Sequence, residues 1–294
     1  IGEVVSIKDD IATINLVGEL IDEEFTAGVI KKPSFGSKVK LVPKNKVQFI
    51  IGEKEYDERE HLIIGKNPIY DENVTIKINK FFSAHFAIFG STGSGKELLL
   101  SSIIYSAITN YLPNEINFYI LDFGAETLKM FEKAPQVGGV LTSTDTEKTE
   151  NLFKMIHSMI DERKALFADY NGSYSFYLEH SKEKLPLVTV VINNYEAFTE
   201  LYEDYEDEIL QLSREGLKYG IVFILSTSST NAIRYRVRQN FKKNIALQFN
   251  DSSDYADVLQ TRTKKIPSKA FGRGLVELDN VYEFQTAYSY NMDK

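Results

Sequence analysis

The fold of this chain is decided by the stretch Phe86-Ala87-Ile88-Phe89-Gly90-Ser91-Thr92-Gly93-Ser94-Gly95-Lys96-Glu97. Its four leading apolar residues are typical of a buried parallel strand, and a helix-favouring segment follows the glycine-rich turn. Gly90, Gly95 and Lys96 have the spacing of the phosphate-binding loop, G-x-x-x-x-G-K-[S/T]. Small residues allow successive backbone N–H groups to converge on a polyphosphate at a helix N-terminus, where the helix dipole also favours negative charge. The stretch therefore predicts a nucleotide-binding loop.

One position of this loop departs from the motif. Lys96 is expected to place its ammonium over the β- and γ-phosphates of ATP, but the hydroxyl that should follow and bind Mg²⁺ is replaced by Glu97. We expect Glu97 either to form an ion pair with Lys96 or to occupy the position of the cation. ATP is the predicted cofactor, and the replacement of Ser or Thr by Glu97 puts the binding of Mg²⁺ in doubt.

Composition excludes several other classes of protein. The 294 residues are 43% hydrophobic and 26% charged, which is ordinary for a soluble globular protein. There is no cysteine for a disulfide or a thiolate metal site, the four histidines lack metal-ligand spacing, and no metal site is predicted. Without a signal peptide or a long apolar run, we expect a cytoplasmic protein, or a domain on the cytosolic face of the membrane. The net charge of −8 opposes a surface covered with DNA-binding sites, but leaves open a basic channel formed on assembly.

Residues 1–58 are predicted to form a small, closed or nearly closed β-barrel domain. Short β-rich runs around Asp9 and Asp10 indicate a hairpin, and two further strands are predicted at residues 38–42 and 46–53. This segment contains no cluster of residue types that indicates catalysis or ligand binding, so we interpret it as an oligomerisation or docking module.

Residues 59–294 are predicted to form an α/β domain with a largely parallel central sheet. Strands and helices alternate, and the near-continuous apolar run at 187–192 is typical of a central strand buried on both faces. Helices are predicted at 97–111 and 146–169, and the last two strands, at 274–278 and 281–287, are predicted to form a terminal hairpin. The remaining predicted strands are 62–65, 74–78, 86–89, 116–121, 220–225 and 244–249.

The second motif of such nucleotide-binding proteins is an apolar strand that ends in acidic residues. Here the strand at 187–192 ends in Asn193 and Asn194, and asparagine can hydrogen-bond a metal-bound water but cannot act as a base. Glu196 and Asp122 are the spare carboxylates that we predict as catalytic candidates. Two interpretations follow: a nucleotide-binding subunit with weak or absent hydrolysis, which we favour, and a site that no longer binds nucleotide. Whether the chain is an active ATPase is left open.

Two further polar groups have a functional and a structural interpretation. The strand end at 226–230 lies where a γ-phosphate sensor is expected, or it forms a capped loop. Three arginines come at alternate positions, Arg234, Arg236 and Arg238, and on a helix they point in different directions. Either one of them reaches the nucleotide of a neighbouring subunit as an arginine finger, or the three form a solvated basic face. Of these three, Arg234 is our candidate catalytic residue.

With these motifs placed, the chain resembles the HerA/FtsK superfamily of ring-forming motor ATPases. Residues 1–95 resemble HerA, through the opening Ile1-Gly2-Glu3-Val4-Val5-Ser6 and the approach from Ile76 to the phosphate loop. From Asn117 onward the chain is more similar to the FtsK/SpoIIIE-type domains of the type VII secretion ATPase EssC. The segments that carry this likeness are residues 119–124, 191–198, 214–221 and 271–276.

The resemblance implies a RecA-like P-loop NTPase fold and a hexameric ring that binds nucleotide between subunits and moves a polymer through its pore. It places residues 90–96 as the phosphate loop, Asn193 and Asn194 in the second acidic motif, and Arg273 in a Gly-Arg-Gly turn as a catalytic candidate. Two functions remain open, with the first slightly preferred. One is a DNA translocase-like ring motor; the other is an EssC-like module that binds secreted protein or regulates a neighbouring ATPase domain.

Overall fold

A computed structural model describes residues 1–51, 57, 59–68, 73–263, 265–278 and 280–286. The chain divides into two compact units, residues 1–56 and residues 57–294. Within the described residues, no helix combines the length and the apolar character that crossing a bilayer requires.

The first unit contains two β-hairpins and a helix. Its elements are β1 (Gly2–Lys8), β2 (Ile11–Leu16), β3 (Gly18–Ile21), β4 (Glu24–Ala27) and α1 (Lys44–Ile51). β1 pairs with β2 through the predicted turn, in which Asp9 adopts a φ of 54°. β3 pairs with β4 in a separate two-stranded sheet.

The predicted barrel is not formed by the described residues of this unit. The two hairpins remain separate sheets, residues 38–42 lack regular structure, and the strand predicted at 46–53 is helix α1 over its described part. The prediction followed β-propensity, whereas Val47, Ile50 and Ile51 also have helical spacing, and Pro43 lies directly before the helix. The C=O of Pro43 accepts a hydrogen bond from the N–H of Lys46, which closes the first helical turn.

The second unit alternates strands and helices through most of its length. Its strands are β5 (His61–Lys66), β6 (Asn73–Lys77), β7 (Phe86–Phe89), β8 (Ile116–Asp122), β9 (Val137–Leu141), β10 (Leu187–Asn193), β11 (Ile221–Thr227), β12 (Lys243–Ala246), β13 (Arg273–Glu277) and β14 (Val281–Gln285). Its α-helices are α2 (Ile78–Phe81), α3 (Lys96–Asn110), α4 (Thr146–Leu166), α5 (Tyr174–His180), α6 (Tyr195–Leu201), α7 (Tyr205–Glu215), α8 (Tyr235–Arg238) and α9 (Ser253–Leu259). Short 3₁₀ turns occupy Thr127–Phe131, Phe167–Asp169 and Gly216–Tyr219.

The described strands of the second unit form one ten-stranded sheet in the order β6-β5-β14-β13-β12-β7-β11-β10-β8-β9. Neighbours from β12 to β9 are parallel, and the remaining pairs are antiparallel. The predicted α/β fold with a largely parallel central sheet is confirmed, as is the terminal β13–β14 hairpin over its described residues. β9 was not predicted, because Gly138 and Gly139 interrupt its apolar pattern.

Helices cover both faces of this sheet. On β10, Val188 and Ile192 pack with the buried side of α4 on one face, whereas Val191 belongs to the cluster that contains α3 on the other. Strands buried on both faces are typical of parallel sheets in α/β proteins. The carboxyl ends of β7, β8, β10 and β11 therefore meet along one edge of the sheet, where ligands bind in folds of this type.

Candidate nucleotide-binding site

The glycine-rich loop joins the end of β7 to the start of α3, which is the context that its sequence predicts. Gly95 has a φ of 98°, and a Cβ at this position would lie 2.9 Å from the backbone N and Cα of Gly272. Gly93 also has a left-handed φ, of 78°, but a Cβ there would face open space. Only glycine adopts such backbone angles readily, and at Gly95 the neighbouring backbone leaves no room for a side chain.

Lys96 is held by the loop that it follows. Its Nζ donates hydrogen bonds to the C=O of Gly90 (2.6 Å), the C=O of Ser91 (3.2 Å) and the Oγ of Ser228 (3.2 Å). Burial lowers the pKa of Lys96 below its ordinary value, and the nearby carboxylates of Glu196 and Glu97 oppose this shift. A phosphate bound at this ammonium has to replace these hydrogen bonds.

Glu97 interacts with the opposite wall of the pocket. Its Oε1 accepts hydrogen bonds from the N–H of Ala125 (3.2 Å) and from Asn193 Nδ2 (3.3 Å), and its Oε2 accepts one from Thr127 Oγ1 (3.2 Å). The expected ion pair between Lys96 and Glu97 is thus not formed among the described residues; each side chain is bonded elsewhere.

Asn193 and Asp122 lie opposite each other at the ends of β10 and β8. Asn193 Nδ2 donates to Asp122 Oδ1 (2.8 Å) as well as to Glu97, and Asn193 Oδ1 accepts a hydrogen bond from Ser226 Oγ (2.7 Å). Asp122 also accepts hydrogen bonds from the N–H groups of Gly124 (3.3 Å) and Leu128 (2.9 Å). The amide orientation is well determined chemically, since the opposite one would place Oδ1 against two carboxylates.

Asn194 has a local structural role. It adopts a φ of 61°, and its side chain accepts a hydrogen bond from the N–H of Ala197 at the start of α6. Its own N–H donates to Ser226 Oγ (2.9 Å), and its Nδ2 donates to the C=O of Phe123 (3.2 Å). The left-handed conformation and the N-cap are typical of asparagine and of aspartate, but only asparagine also supplies the amide donor to the C=O of Phe123.

Glu196 holds the loop that follows β11. Its Oε1 accepts hydrogen bonds from the N–H groups of Ser228 (2.5 Å) and Ser229 (3.1 Å). Its Oε2 is buried and has no hydrogen-bond partner among the residues that the structure describes. Because Ser228 also accepts a hydrogen bond from Lys96, Glu196 positions the polar strand end that the sequence indicated as a γ-phosphate sensor.

The two arginine candidates are bonded outside the pocket. Arg234 forms an ion pair with the buried Glu206 (2.5 Å). Arg273 pairs with Glu283 (3.2 Å) and donates to Gln285 Oε1 (3.0 Å) across the β13–β14 hairpin. A role for Arg234 at a neighbouring subunit's nucleotide and a catalytic role for Arg273 both stay predictions.

A cavity of about 640 Å³ lies over the loop and contains most of the predicted binding residues. Of the described residues that line it, Lys96 and Glu97 carry the formal charges. Thr127 and Phe271 also line it and were not singled out in the sequence. The position of Phe271 directly before the Gly-Arg-Gly turn is the one available signal, whereas Thr127 reaches the site only through the fold of the loop after β8.

Comparison with known protein families agrees with this geometry. The family model described as "FtsK/SpoIIIE family" matches residues 50–275, which is most of the chain. The chain belongs to the FtsK/SpoIIIE family. The resemblance of its second half to the FtsK/SpoIIIE-type domains of EssC is thereby confirmed, while the likeness of its first residues to HerA stays a prediction.

Relatives of this FtsK/SpoIIIE-family chain include type VII secretion ATPases. It is 26% identical to the type VII secretion system protein EssC of Staphylococcus aureus (strain MRSA252) over 249 residues, which cover 84% of this chain and 16% of EssC. It is 30% identical to the ESX secretion system protein EccC of Geobacillus thermodenitrificans (strain NG80-2) over 197 residues, which cover 67% of this chain and 13% of EccC. The chain thus spans about a sixth or less of each relative's length.

A solved structure has the same fold. Residues covering 80% of this chain superpose on 46% of a chain described as EssC (ATPases 2 and 3) from Geobacillus thermodenitrificans, with a TM-score of 0.72 and 26% identity. The RecA-like P-loop ATPase fold expected from the sequence is therefore supported by both family and structure.

Proposed function

We propose that this chain acts as an ATPase-fold domain of a type VII protein-secretion ATPase that binds nucleotide and hydrolyses it at no more than a background rate. The secretion branch is supported by the relatives EssC and EccC, which are named as secretion system proteins. Nucleotide binding is supported by the strand–loop–helix geometry around Lys96 and by the cavity above it.

The arrangement of Glu97 is the observation that best supports a low rate of ATP hydrolysis. It stands where the motif requires a hydroxyl, and both of its carboxylate oxygens already accept hydrogen bonds from the facing wall. Asn193 replaces the acidic residue of the second motif, and Glu196 is bonded to backbone N–H groups after β11. Asn193 cannot take up a proton, both oxygens of Glu97 accept hydrogen bonds, and the Oε2 of Glu196, unpartnered among the described residues, is buried. None of the three side chains is thus arranged to remove a proton from an attacking water, which is the role of the base in such sites.

The family implies Mg²⁺ beside the nucleotide, and we infer that this pocket does not fit that ion in the usual way. The hydroxyl ligand is absent, and Asn193 directs its N–H groups, rather than its oxygen, toward Glu97 and Asp122. Mg²⁺ requires oxygen ligands in near-octahedral geometry; an amide N–H cannot supply one, and the carboxylate oxygens of Glu97 and Asp122 already accept hydrogen bonds from the protein.

An ATPase measurement on the purified chain tests this function. We expect ATP to bind and release of phosphate to stay at background, and the double variant Glu97→Ser with Asn193→Asp to raise hydrolysis by at least tenfold. Glu200→Ser, which changes an exposed carboxylate on α6, is the control and should have no effect. Robust Mg²⁺-dependent turnover by the unaltered chain would contradict the proposal.

A separate experiment tests whether the domain acts on protein or on DNA. If the domain serves protein secretion, duplex DNA should bind weakly, consistent with the net charge of −8. A DNA translocase, the alternative that the sequence slightly preferred, predicts DNA binding whose affinity falls steeply with salt because phosphate contacts release counterions. Sedimentation with and without ATP tests the predicted hexameric ring in the same samples.

A further inference from the structure

We propose that this pocket selects a nucleoside diphosphate over a triphosphate and binds it without a divalent cation. This inference rests on the proposed nucleotide-binding function and adds to it the charge state of the ligand. The preference is inferred from the two sides of the pocket, because one side favours anions and the other carries a negative charge.

The side of the pocket nearest the loop has the features that bind the first phosphates of a nucleotide. The loop places Gly93 and Gly95 in left-handed conformations at the N-terminus of α3, a helix of fifteen residues. Backbone N–H groups in this arrangement and the positive end of the helix dipole favour anions. Lys96 adds a buried ammonium at the same place.

The far side of the pocket, where a γ-phosphate and its cation lie in the family, is lined by the Glu97 carboxylate, and Asp122 is buried beside it. Glu97 and Asp122 both accept hydrogen bonds from the single amide nitrogen of Asn193, so they stand together at the ends of α3 and β8. Ala125, Thr127, Gly124 and Leu128 supply the remaining donors. The protein itself thus supplies hydrogen-bond donors to both carboxylates without a metal ion, and the carboxylates keep their negative charge.

The charge on the pocket wall disfavours a third phosphate. Of the described lining residues, Lys96 carries the positive charge and Glu97 a negative one. In other P-loop proteins a divalent cation bridges the last two phosphates and offsets their charge. Here the Glu97 carboxylate stands where the motif places the metal-binding hydroxyl, so a γ-phosphate would meet like charge, whereas the β-phosphate of a diphosphate would meet Lys96 alone.

Competitive displacement of fluorescent mant-ADP from the full chain tests this proposal. ADP and ATP are compared in EDTA and in excess MgCl₂. We expect ADP to bind at least tenfold more tightly than ATP in EDTA, and Mg²⁺ to change the affinity for ADP by less than twofold. ATP binding as tightly as ADP in EDTA, or a tenfold gain in ATP affinity on adding Mg²⁺, overturns the proposal and leaves nucleotide binding intact.

Glu97→Gln is the decisive variant, because it removes one negative charge while keeping the shape. The amide oxygen can accept the hydrogen bonds from Ala125 and Asn193, and the amide nitrogen can donate to Thr127. We expect the affinities for ADP and ATP in this variant to differ by no more than threefold. If Glu97→Gln does not fold, Glu97→Ser should reduce the difference in the same way. Glu132→Gln, at an exposed position, should keep the preference. An unchanged preference in Glu97→Gln contradicts the inference, whereas the absence of any mant-ADP binding by the unaltered chain contradicts the proposed function itself.

Discussion

At the scale of single residues, His85 is a polar side chain that links two elements inside the core by hydrogen bonds. It precedes β7 and is fully buried. Its Nδ1 accepts a hydrogen bond from the N–H of Phe223 on β11 (2.9 Å), and its Nε2 lies 2.8 Å from the C=O of Ser213 on α7. This pair of contacts requires the neutral tautomer protonated on Nε2, since a backbone N–H can only donate and a C=O can only accept.

His85 should make the stability of the chain sensitive to mild acid. Burial lowers the pKa of His85 to about 4, against an ordinary value of 6.5, and the hydrogen bond to Ser213 partly opposes the shift. Between these two pKa values the unfolded chain binds a proton that the folded chain does not, so stability falls as the pH falls from about 6.5 toward 4. We expect this group to make the free energy of unfolding about 2 kcal/mol lower at pH 5 than at pH 7.

Urea unfolding at both pH values measures this effect. The pH dependence of each variant is compared with that of the unaltered chain, since all other titratable groups are the same in both proteins. His85→Gln should be less stable at pH 7 but should lose the extra decrease at pH 5. His180→Gln, at an exposed histidine that stacks on Phe176, should retain it. The same pH dependence in His85→Gln as in the unaltered chain would refute the assignment.

At the scale of elements, the order of strands explains why residues far apart in sequence share one pocket. β7 lies between β11 and β12, and β10 lies between β11 and β8, so their carboxyl ends form one continuous edge. Arg163 on α4 links the segments that lead into β10 and β11, because its guanidinium donates to the C=O groups of Pro186 (2.7 Å) and Tyr219 (2.6 Å). At the other ends of these strands, the parallel register of β10 and β11 brings Ser226 within hydrogen-bond distance of Asn193.

The loop between β7 and α3 should respond differently to substitution at its two left-handed glycines. Gly93→Ala introduces a backbone penalty alone, and we expect a loss of about 1 kcal/mol in the free energy of unfolding. Gly95→Ala adds a Cβ 2.9 Å from the backbone of Gly272, so we expect a loss of about 2–3 kcal/mol. Chemical denaturation of the two variants measures the difference, and equal losses would show that the close approach to Gly272 is unimportant.

At the scale of the whole molecule, the two units differ greatly in their cores. The second unit buries two large apolar clusters, one on each face of its sheet. The first unit exposes many of its apolar side chains, among them Val5, Ile7, Ile30 and Phe35. A short segment with so little buried apolar surface contributes little independent stability.

The second unit should therefore fold without the first. We expect a chain shortened to residues 57–294 to unfold within about 3 °C of the full chain, since its ten-stranded sheet is complete. A chain shortened to residues 73–294 is the control. It lacks β5, which pairs with β6 and β14 and buries Leu62 and Ile64, and we expect its unfolding temperature to fall by more than about 10 °C. Loss of the cooperative transition in residues 57–294 would show that the first unit is required.

The sequence by itself determined the central architecture and the location of the loop, because these depend on local patterns. Buried parallel strands such as β10 and β11 need continuous apolar runs, and the loop before α3 needs small residues at fixed spacing. Where local signals were ambiguous, the predictions were incomplete or wrong. β9 was missed because two glycines interrupt it, and α1 was predicted as a strand because its valine, phenylalanine and isoleucines favour strands, although their spacing also suits a helix.

Only the tertiary structure decided what the unusual residues of the pocket contact. The sequence identified Glu97, Asn193 and Asp122 as departures or spare carboxylates, but they lie on three different elements. Their shared hydrogen bonds depend on the register in which Asn193 faces Asp122 and on the loop that brings Thr127 toward α3. The direction of Lys96 toward Gly90, rather than toward Glu97, likewise follows from two acceptors that the folded loop supplies and a third, Ser228, after β11. Local propensity specifies which segments become strands and helices, whereas a polar side chain is directed by the acceptors and donors that long-range packing places within its reach.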